Sequence, residues 1–166
     1  MHLGTSALLV RDMPVGRLTA ALPDRYFETD DPIDARMAFS PALGPDTAVT
    51  SVGAWTVLCD PRGELTGSAE WLRRLSVGRK LLALVRHDAD GLHGFSSLED
   101  GTMRRRVVYQ DGALVEAAGE PIPEEDGLGH PAFGLWRDDI LTLVARVTGV
   151  NWAELEDARY RRLQRG

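Results

Sequence analysis

The sequence predicts a single α+β domain over residues 1–166, with an antiparallel sheet of five to seven strands and helices packed mainly on one face. Two Asp-Gly pairs, at 100–101 and 111–112, separate short strand-like segments. Asp-Gly favours the two-residue turn of a β-hairpin, because both central residues of that turn need positive φ. The apolar run at 81–85 adds a buried strand. The predicted meander has four strands, at 80–87, 92–99, 102–110 and 113–119.

The first elements of the chain are predicted from apolar periodicity. A buried strand spans His2 to Val10, and a short helix follows Asp12, which is a suitable N-cap, with Pro14 in the first turn. Pro23 ends this helix.

The stretch at 23–47 is predicted to be a long irregular loop, since it holds four prolines and six acids without a clear period. It is a contact for a ligand or partner, a poorly ordered connector, or a stretch with short elements that the pattern does not reveal. Strands follow within 47–60, with a bend, bulge or tight hairpin at Gly53. Ser68 then caps a short helix that buries Trp71, Leu72 and Leu75.

Two helices are predicted after the meander. The first has Asp138 and Asp139 in its first turn and ends at Gly149. Its predicted buried stripe is Trp136, Ile140, Leu143, Val144 and Val147. Asn151 with Glu154 gives a capping-box-like start to the last helix, whose end at 159–165 is basic.

Composition excludes several classes of function. The net charge of −6 argues against a nucleic-acid binder, which needs a basic surface to neutralise phosphates. Cys59 is the only cysteine, so no internal disulfide forms and a cysteine-based metal site is not expected. The apolar run at 7–10 is too short for a signal-peptide core or a membrane span. The expected location is the cytoplasm, with no membrane partner.

Two-residue turns fix the predicted register of the meander. Tyr109 is expected opposite Leu114, and Leu98 opposite Met103, so that Arg105 and Glu116 fall diagonally on one face. If that face is buried, the two charges need each other, because either one buried alone is costly. Arg105 and Glu116 are therefore predicted to form a structural ion pair.

The sequence offers no catalytic motif, and no cofactor is expected. The one cluster that resembles metal ligands is His87, Asp88, Asp90 and His93, but Asp-rich segments that end in Gly are also typical hairpin turns. The turn interpretation is favoured over a metal site. Cys59 lacks an activating context and is expected to be a small buried core residue.

The clearest candidate for binding is the exit from the meander. Between residues 116 and 134 there are five acids and no Lys or Arg. The predicted binding residues are Glu120, Glu124, Glu125 and Asp126.

The turn and cap residues of the second half form a recurring pattern. It runs from Trp71 through Leu75-Ser76, the two Asp-Gly hairpins and the exit Gly119-Glu120-Pro121-Ile122-Pro123-Glu124-Glu125. This pattern resembles small uncharacterised bacterial α+β families, some of them encoded near toxin–immunity loci. The resemblance covers about half of the chain and implies the fold and a non-catalytic role, without a ligand.

The function expected from the sequence is that of a non-enzymatic binding or accessory protein of the immunity type, which uses its acidic surface to hold a protein partner. Two alternatives stay open. One is a small hydrolase or transferase with its site between loop 23–47 and the sheet. The other is a structural subunit of a larger assembly.

Overall fold

The computed structural model describes residues 4–129 and 134–166. Within them lie nine strands: β1 (Thr5–Arg11), β2 (Tyr26–Ile33), β3 (Thr47–Val52), β4 (Trp55–Asp60), β5 (Lys80–His87), β6 (Leu92–Glu99), β7 (Thr102–Gln110), β8 (Ala113–Ala118) and β9 (Tyr160–Arg165). The helices are α1 (Val15–Ala20), α2 (Ala35–Ala38), α3 (Ala69–Leu75), α4 (Arg137–Thr148) and α5 (Trp152–Asp157). The predicted start of the first strand at His2 lies outside the described residues.

All nine strands join one open antiparallel sheet in the order β2-β9-β3-β4-β1-β5-β6-β7-β8. The α+β class and the antiparallel sheet are confirmed, but five to seven strands is an undercount. The missed strands are β2, inside the supposed loop, and β9, inside the supposed last helix. β2 tolerates Pro32 because it is an edge strand with an irregular register at that point.

Helices pack on both faces of the sheet, with α2, α4 and α5 on one face and α1 and α3 on the other, where the sequence predicted helices mainly on one face. Leu9 of β1 belongs to a core cluster shared with α2, α4 and α5, whereas Leu8 belongs to a second cluster shared with α1 and α3. Successive residues of a strand point to opposite faces, so the sheet lies between two helical layers. A strand buried on both faces loses its polar alternation, which is why β1 and β4 are continuous buried runs.

The meander is confirmed, with two bulges that the turns alone do not predict. Asp100-Gly101 and Asp111-Gly112 all have positive φ, as a type I′ turn requires. Leu98 pairs with Met103 and Tyr109 with Leu114, as expected. Beyond those pairs Arg104 and Val115 are each an extra residue, so that Ser97 faces Arg105 and Val108 faces Glu116.

These bulges overturn the predicted Arg105–Glu116 pair, because a one-residue slip moves every later side chain to the other face. Glu116 instead pairs with Arg106, whose Nε lies 2.7 Å from Glu116 Oε1. Arg105 pairs with Glu125, with Nε 3.1 Å from Oε2.

Caps explain most helix boundaries. The side chains of Ser68 and Asn151 accept hydrogen bonds from Trp71 N and Glu154 N, as predicted. α4 ends at Gly149, which has a φ of 75°. Asp12 precedes α1 but does not cap it. The prediction that Trp136 belongs to the buried stripe of α4 is wrong, because Trp136 lies at the N-cap position and is 57% exposed.

Among the described residues, the helices are all too short or too polar to cross a lipid bilayer.

Candidate functional site

The four polar residues of the β5–β6 turn do not converge on one point. His87 Nδ1 lies 2.7 Å from Asp90 Oδ2, and Arg86 Nε lies 2.6 Å from Asp88 Oδ1. His93 stacks on the ring of Tyr109 at a centroid distance of 5.1 Å, and its Nε2 lies 2.9 Å from the Leu135 carbonyl oxygen. In the part of the chain that the structure describes, no three His, Cys, Asp or Glu side chains are grouped as metal ligands.

Cys59 is a buried residue of the core, as predicted. Burial raises the pKa of its thiol, and the nearby Asp60 carboxylate raises it further. A thiol with a raised pKa is a poor nucleophile, since the thiolate is the reactive form.

The acidic turn, residues 119–126, follows β8 directly and is tied to the rest of the fold. Both Glu125 carboxylate oxygens accept from the Arg105 guanidinium, and Oε2 also accepts from Ile122 N at 2.7 Å. The Arg105 and Glu125 side chains are only 15% and 11% exposed. Arg105 Nη1 also donates to the Gly119 carbonyl oxygen at 2.8 Å.

A second arginine holds the other side of the acidic turn. Arg146 of α4 donates from Nη1 to the carbonyl oxygens of Glu124 and Asp126, at 3.1 and 2.7 Å. These bonds use backbone oxygens, so Arg146 holds the turn without a hydrogen bond to either carboxylate. Of the four predicted binding residues, Glu120 and Asp126 are exposed, Glu124 is half-buried, and Glu125 is largely enclosed.

β8 itself was not predicted as a binding feature from the sequence. All six of its residues are exposed, including Leu114 at 56% and Val115 at 55%. It is the last strand of the sheet and pairs with β7 alone among the described strands. We call its outer side the β8 edge. Backbone N–H and C=O groups on such an edge face solvent and form a template for another strand.

The sequence contains a signal for this edge. The segment Ala-Leu-Val-Glu-Ala-Ala at 113–118 has one charge and no proline, although exposed edges are usually protected by Lys, Pro or inward-pointing charges. Its apolar residues suggested burial, and only the order of the strands shows that it ends the sheet.

A cleft of about 240 Å³ lies between the 23–47 region and the end of β4. We call it the Asp60 cleft. Asp60 Oδ2 accepts from Thr66 N at 2.8 Å, and burial raises the pKa of the Asp60 carboxyl while the hydrogen bonds from Thr66 and Leu65 oppose that rise. Tyr26 lines the same cleft, and its pKa is raised first by burial and then by the carboxylates of Asp24, Asp60 and Glu64, against the opposing effect of Arg165.

The chemistry of the Asp60 cleft is limited. Its lining includes Cys59, whose side chain belongs to the core cluster that contains Tyr160. Within the described residues no histidine lines it, so a nucleophile–base pair of Cys and His is not assembled there. The bonds from the 60–66 turn give Asp60 a structural role, because it holds that turn against the sheet.

Comparison of the chain with protein families, with curated protein sequences and with solved structures found no match.

Proposed function

We propose that the chain is a non-enzymatic binding protein, of the immunity or accessory type, that accepts an extended basic segment of a protein partner on the β8 edge. The observation that carries this proposal is the exposure of the whole strand. Leu114 and Val115 are both more than half exposed on a strand with one free edge. Addition of a strand would pair the backbone groups of that edge and cover apolar side chains in one step.

The acidic turn supports the choice of a basic partner. Glu120, Glu124 and Asp126 follow the β8 edge within eight residues, and no Lys or Arg lies between residues 116 and 134. The whole chain carries a net charge of −6, which favours encounter with a basic segment. Glu125, a predicted binding residue, acts in this proposal as the residue that holds the acidic turn through Arg105.

Rigidity of the edge also supports the proposal. The acidic turn is fixed by Arg105 and Arg146, on a strand and on a helix, and β8 is hydrogen-bonded along β7. A fixed edge loses little conformational entropy when a strand is added to it.

The test is a titration of a labelled eight-residue peptide of alternating lysine and valine, followed by fluorescence anisotropy. The double variant Leu114→Lys/Val115→Lys should weaken binding at least tenfold, and Glu120→Lys/Glu124→Lys should weaken it and reduce its salt dependence. Val77→Lys is the matched control, because Val77 is an equally exposed apolar residue next to α3. Equal affinity for all four proteins, or no saturable binding, would contradict the proposal.

One observation favours the alternative of a small hydrolase or transferase. The Asp60 cleft lies where that alternative expected a site, between the 23–47 region and the sheet, and it contains a carboxyl group with a raised pKa. A reaction that uses Asp60 as an acid or base would be abolished in Asp60→Asn, whereas peptide binding at the β8 edge would be retained.

A further inference from the structure

Another concave surface lies on the face that carries α1 and α3, and no residue of β8 lines it. It is a groove of about 480 Å³ whose walls come from the start and end of α1, from α3 and from the turn before β5. This volume lies in the range of small-molecule sites, roughly 300–1,000 Å³. We call it the arginine groove, because Arg17, Arg74 and Arg79 line it.

The arginine groove adjoins the Asp60 cleft, because Pro23, Trp71 and Arg74 line both, and the acids of that region line the cleft. Within the described residues, no Asp or Glu lines the groove itself. Arg79 donates a long hydrogen bond of 3.5 Å to the Leu75 carbonyl oxygen, and neither Arg17 nor Arg74 has a side-chain hydrogen bond or ion pair in the described part of the chain. Three guanidinium groups around one depression repel one another, and an anion between them would remove that repulsion.

Acids near the arginine groove in sequence make other contacts. Asp12 lies beside Arg11, with 3.7 Å between Oδ2 and Nε. Asp100 Oδ1 accepts from Gly78 N at 2.8 Å, at the turn that leads to Arg79. Asp24 pairs with Arg165, and Glu70, one helical turn before Arg74, does not line the groove. The lining of the groove is therefore positively charged in a chain whose net charge is −6.

The floor of the arginine groove is apolar and fixed. Met13, Trp71 and Leu75 are buried residues of the second core cluster. The indole Nε1 of Trp71 donates to the Ala21 carbonyl oxygen at 3.0 Å, which holds the ring between α3 and the end of α1. Ala21 and Pro23 line the groove beside this floor and are exposed, so a ligand there would bury apolar surface while its charged group meets the arginines.

We propose that the arginine groove binds a small organic anion, in which a phosphate or carboxylate group is attached to an apolar body. Arginine suits both anions, because its planar guanidinium donates two parallel hydrogen bonds to either one. This site is independent of the β8 edge, and its occupancy needs no protein partner.

The test is isothermal titration with three probes: phenyl phosphate, which has both features, inorganic phosphate, which lacks the apolar body, and benzyl alcohol, which lacks the anion. Phenyl phosphate should bind saturably and at least tenfold more tightly than either of the others. Arg17→Gln/Arg74→Gln should weaken its binding at least tenfold. Far-UV circular dichroism is expected to be unchanged, because both arginines are exposed.

Arg73→Gln is the matched control, since Arg73 is an exposed arginine of α3 that does not line the groove. It should change the affinity for phenyl phosphate by less than twofold. The proposal is overturned by equal losses in the two variants, by equal affinity for phenyl phosphate and inorganic phosphate, or by the absence of saturable binding.

Discussion

Glu125 joins the acidic turn to the sheet, and its contacts are those of a structural residue. Its carboxylate accepts hydrogen bonds from the Arg105 guanidinium and from Ile122 N. The side chains of Glu125 and Arg105 are both largely enclosed. Loss of one member of an enclosed ion pair leaves the other charge without compensation, whereas loss of an exposed pair has little effect. Glu125 and Glu116 both have arginine partners, but we expect the loss of Glu125 to destabilise the fold more than the loss of Glu116.

We predict that Glu125→Ala lowers the free energy of unfolding by about 2–3 kcal/mol, because it removes the partner of Arg105 and the acceptor of the Ile122 N–H. Glu116→Ala should lower it by only about 1 kcal/mol, since Glu116 is 50% exposed and Arg106, although its side chain is only 11% exposed, keeps bonds to Ser96 and Thr66. Urea unfolding of the two variants measures the difference. Equal losses of unfolding free energy in the two variants would contradict this prediction.

Asp60 gives a second prediction at the residue scale, through pH. Burial raises the pKa of its carboxyl in the folded state, so the folded protein holds the proton more tightly than the unfolded chain. The stability from protonated Asp60 is complete below its unfolded-state pKa, about 3.9. It is lost as the pH rises through the folded-state pKa.

Asp60→Asn stays neutral at every pH and keeps an oxygen acceptor for the Thr66 N–H. The stability of the wild type relative to this variant should therefore fall as the pH rises through that window. Denaturant unfolding of both proteins between pH 3 and 7 measures this, and other carboxylates cancel in the difference. A constant difference would mean that Asp60 titrates alike in the folded and unfolded states.

Strand β6 shows what close approach of two strands requires. Gly94 lies opposite Val108 in the center of the meander, and a Cβ at this position would clash with the Val107 carbonyl oxygen and lie 2.8 Å from Val108 Cα. The clash involves backbone, which cannot move without shifting the ladder. Glycine is therefore needed at this position for close packing of β6 on β7.

Gly94→Ala should lower the free energy of unfolding by roughly 3 kcal/mol or more. Gly16→Ala is the control, because Gly16 lies in α1 with no atom within 4 Å of the added Cβ, and there alanine should stabilise by about 0.5–1 kcal/mol. Thermal unfolding of both variants measures the two effects. A neutral Gly94→Ala would contradict the close approach of the strands.

Individual elements also show which parts of the fold the sequence could predict. Local chemistry was sufficient for the Asp-Gly turns, for the Ser68 and Asn151 caps and for the end of α4 at Gly149, because each depends on residues adjacent in sequence. β9 was missed for the opposite reason. Tyr160 and Leu163 are buried at a spacing that also fits a helix, and the strand exists because β2 and β3 lie on either side of it.

At the scale of the whole molecule, the described residues form a sheet that carries helices on both faces and ends in the edge strands β2 and β8. Two bulges, each one residue long, decided which face Arg105, Arg106 and Glu116 occupy, and no local signal marked them. The acidic turn was recognised from composition alone. The β8 edge could not be recognised, since a position at the end of a nine-stranded sheet is a property of the complete strand order.

The net charge of the chain and the exposure of the β8 edge together determine which kind of partner we expect at that edge. A net charge of −6 disfavours the approach of a second copy of the chain and favours a basic partner. The same edge would otherwise promote self-association through β8. The central claim is therefore that β8 is a place for a strand from another, basic protein.

Amide hydrogen exchange of the full chain, with and without the lysine–valine peptide, tests this claim most directly. Pairing of a strand on the β8 edge should slow exchange in residues 113–118, and Leu114→Lys/Val115→Lys should remove the effect while the rest of the exchange pattern stays unchanged. Unaltered exchange in β8 at saturating peptide, or protection confined to other parts of the fold, would contradict it.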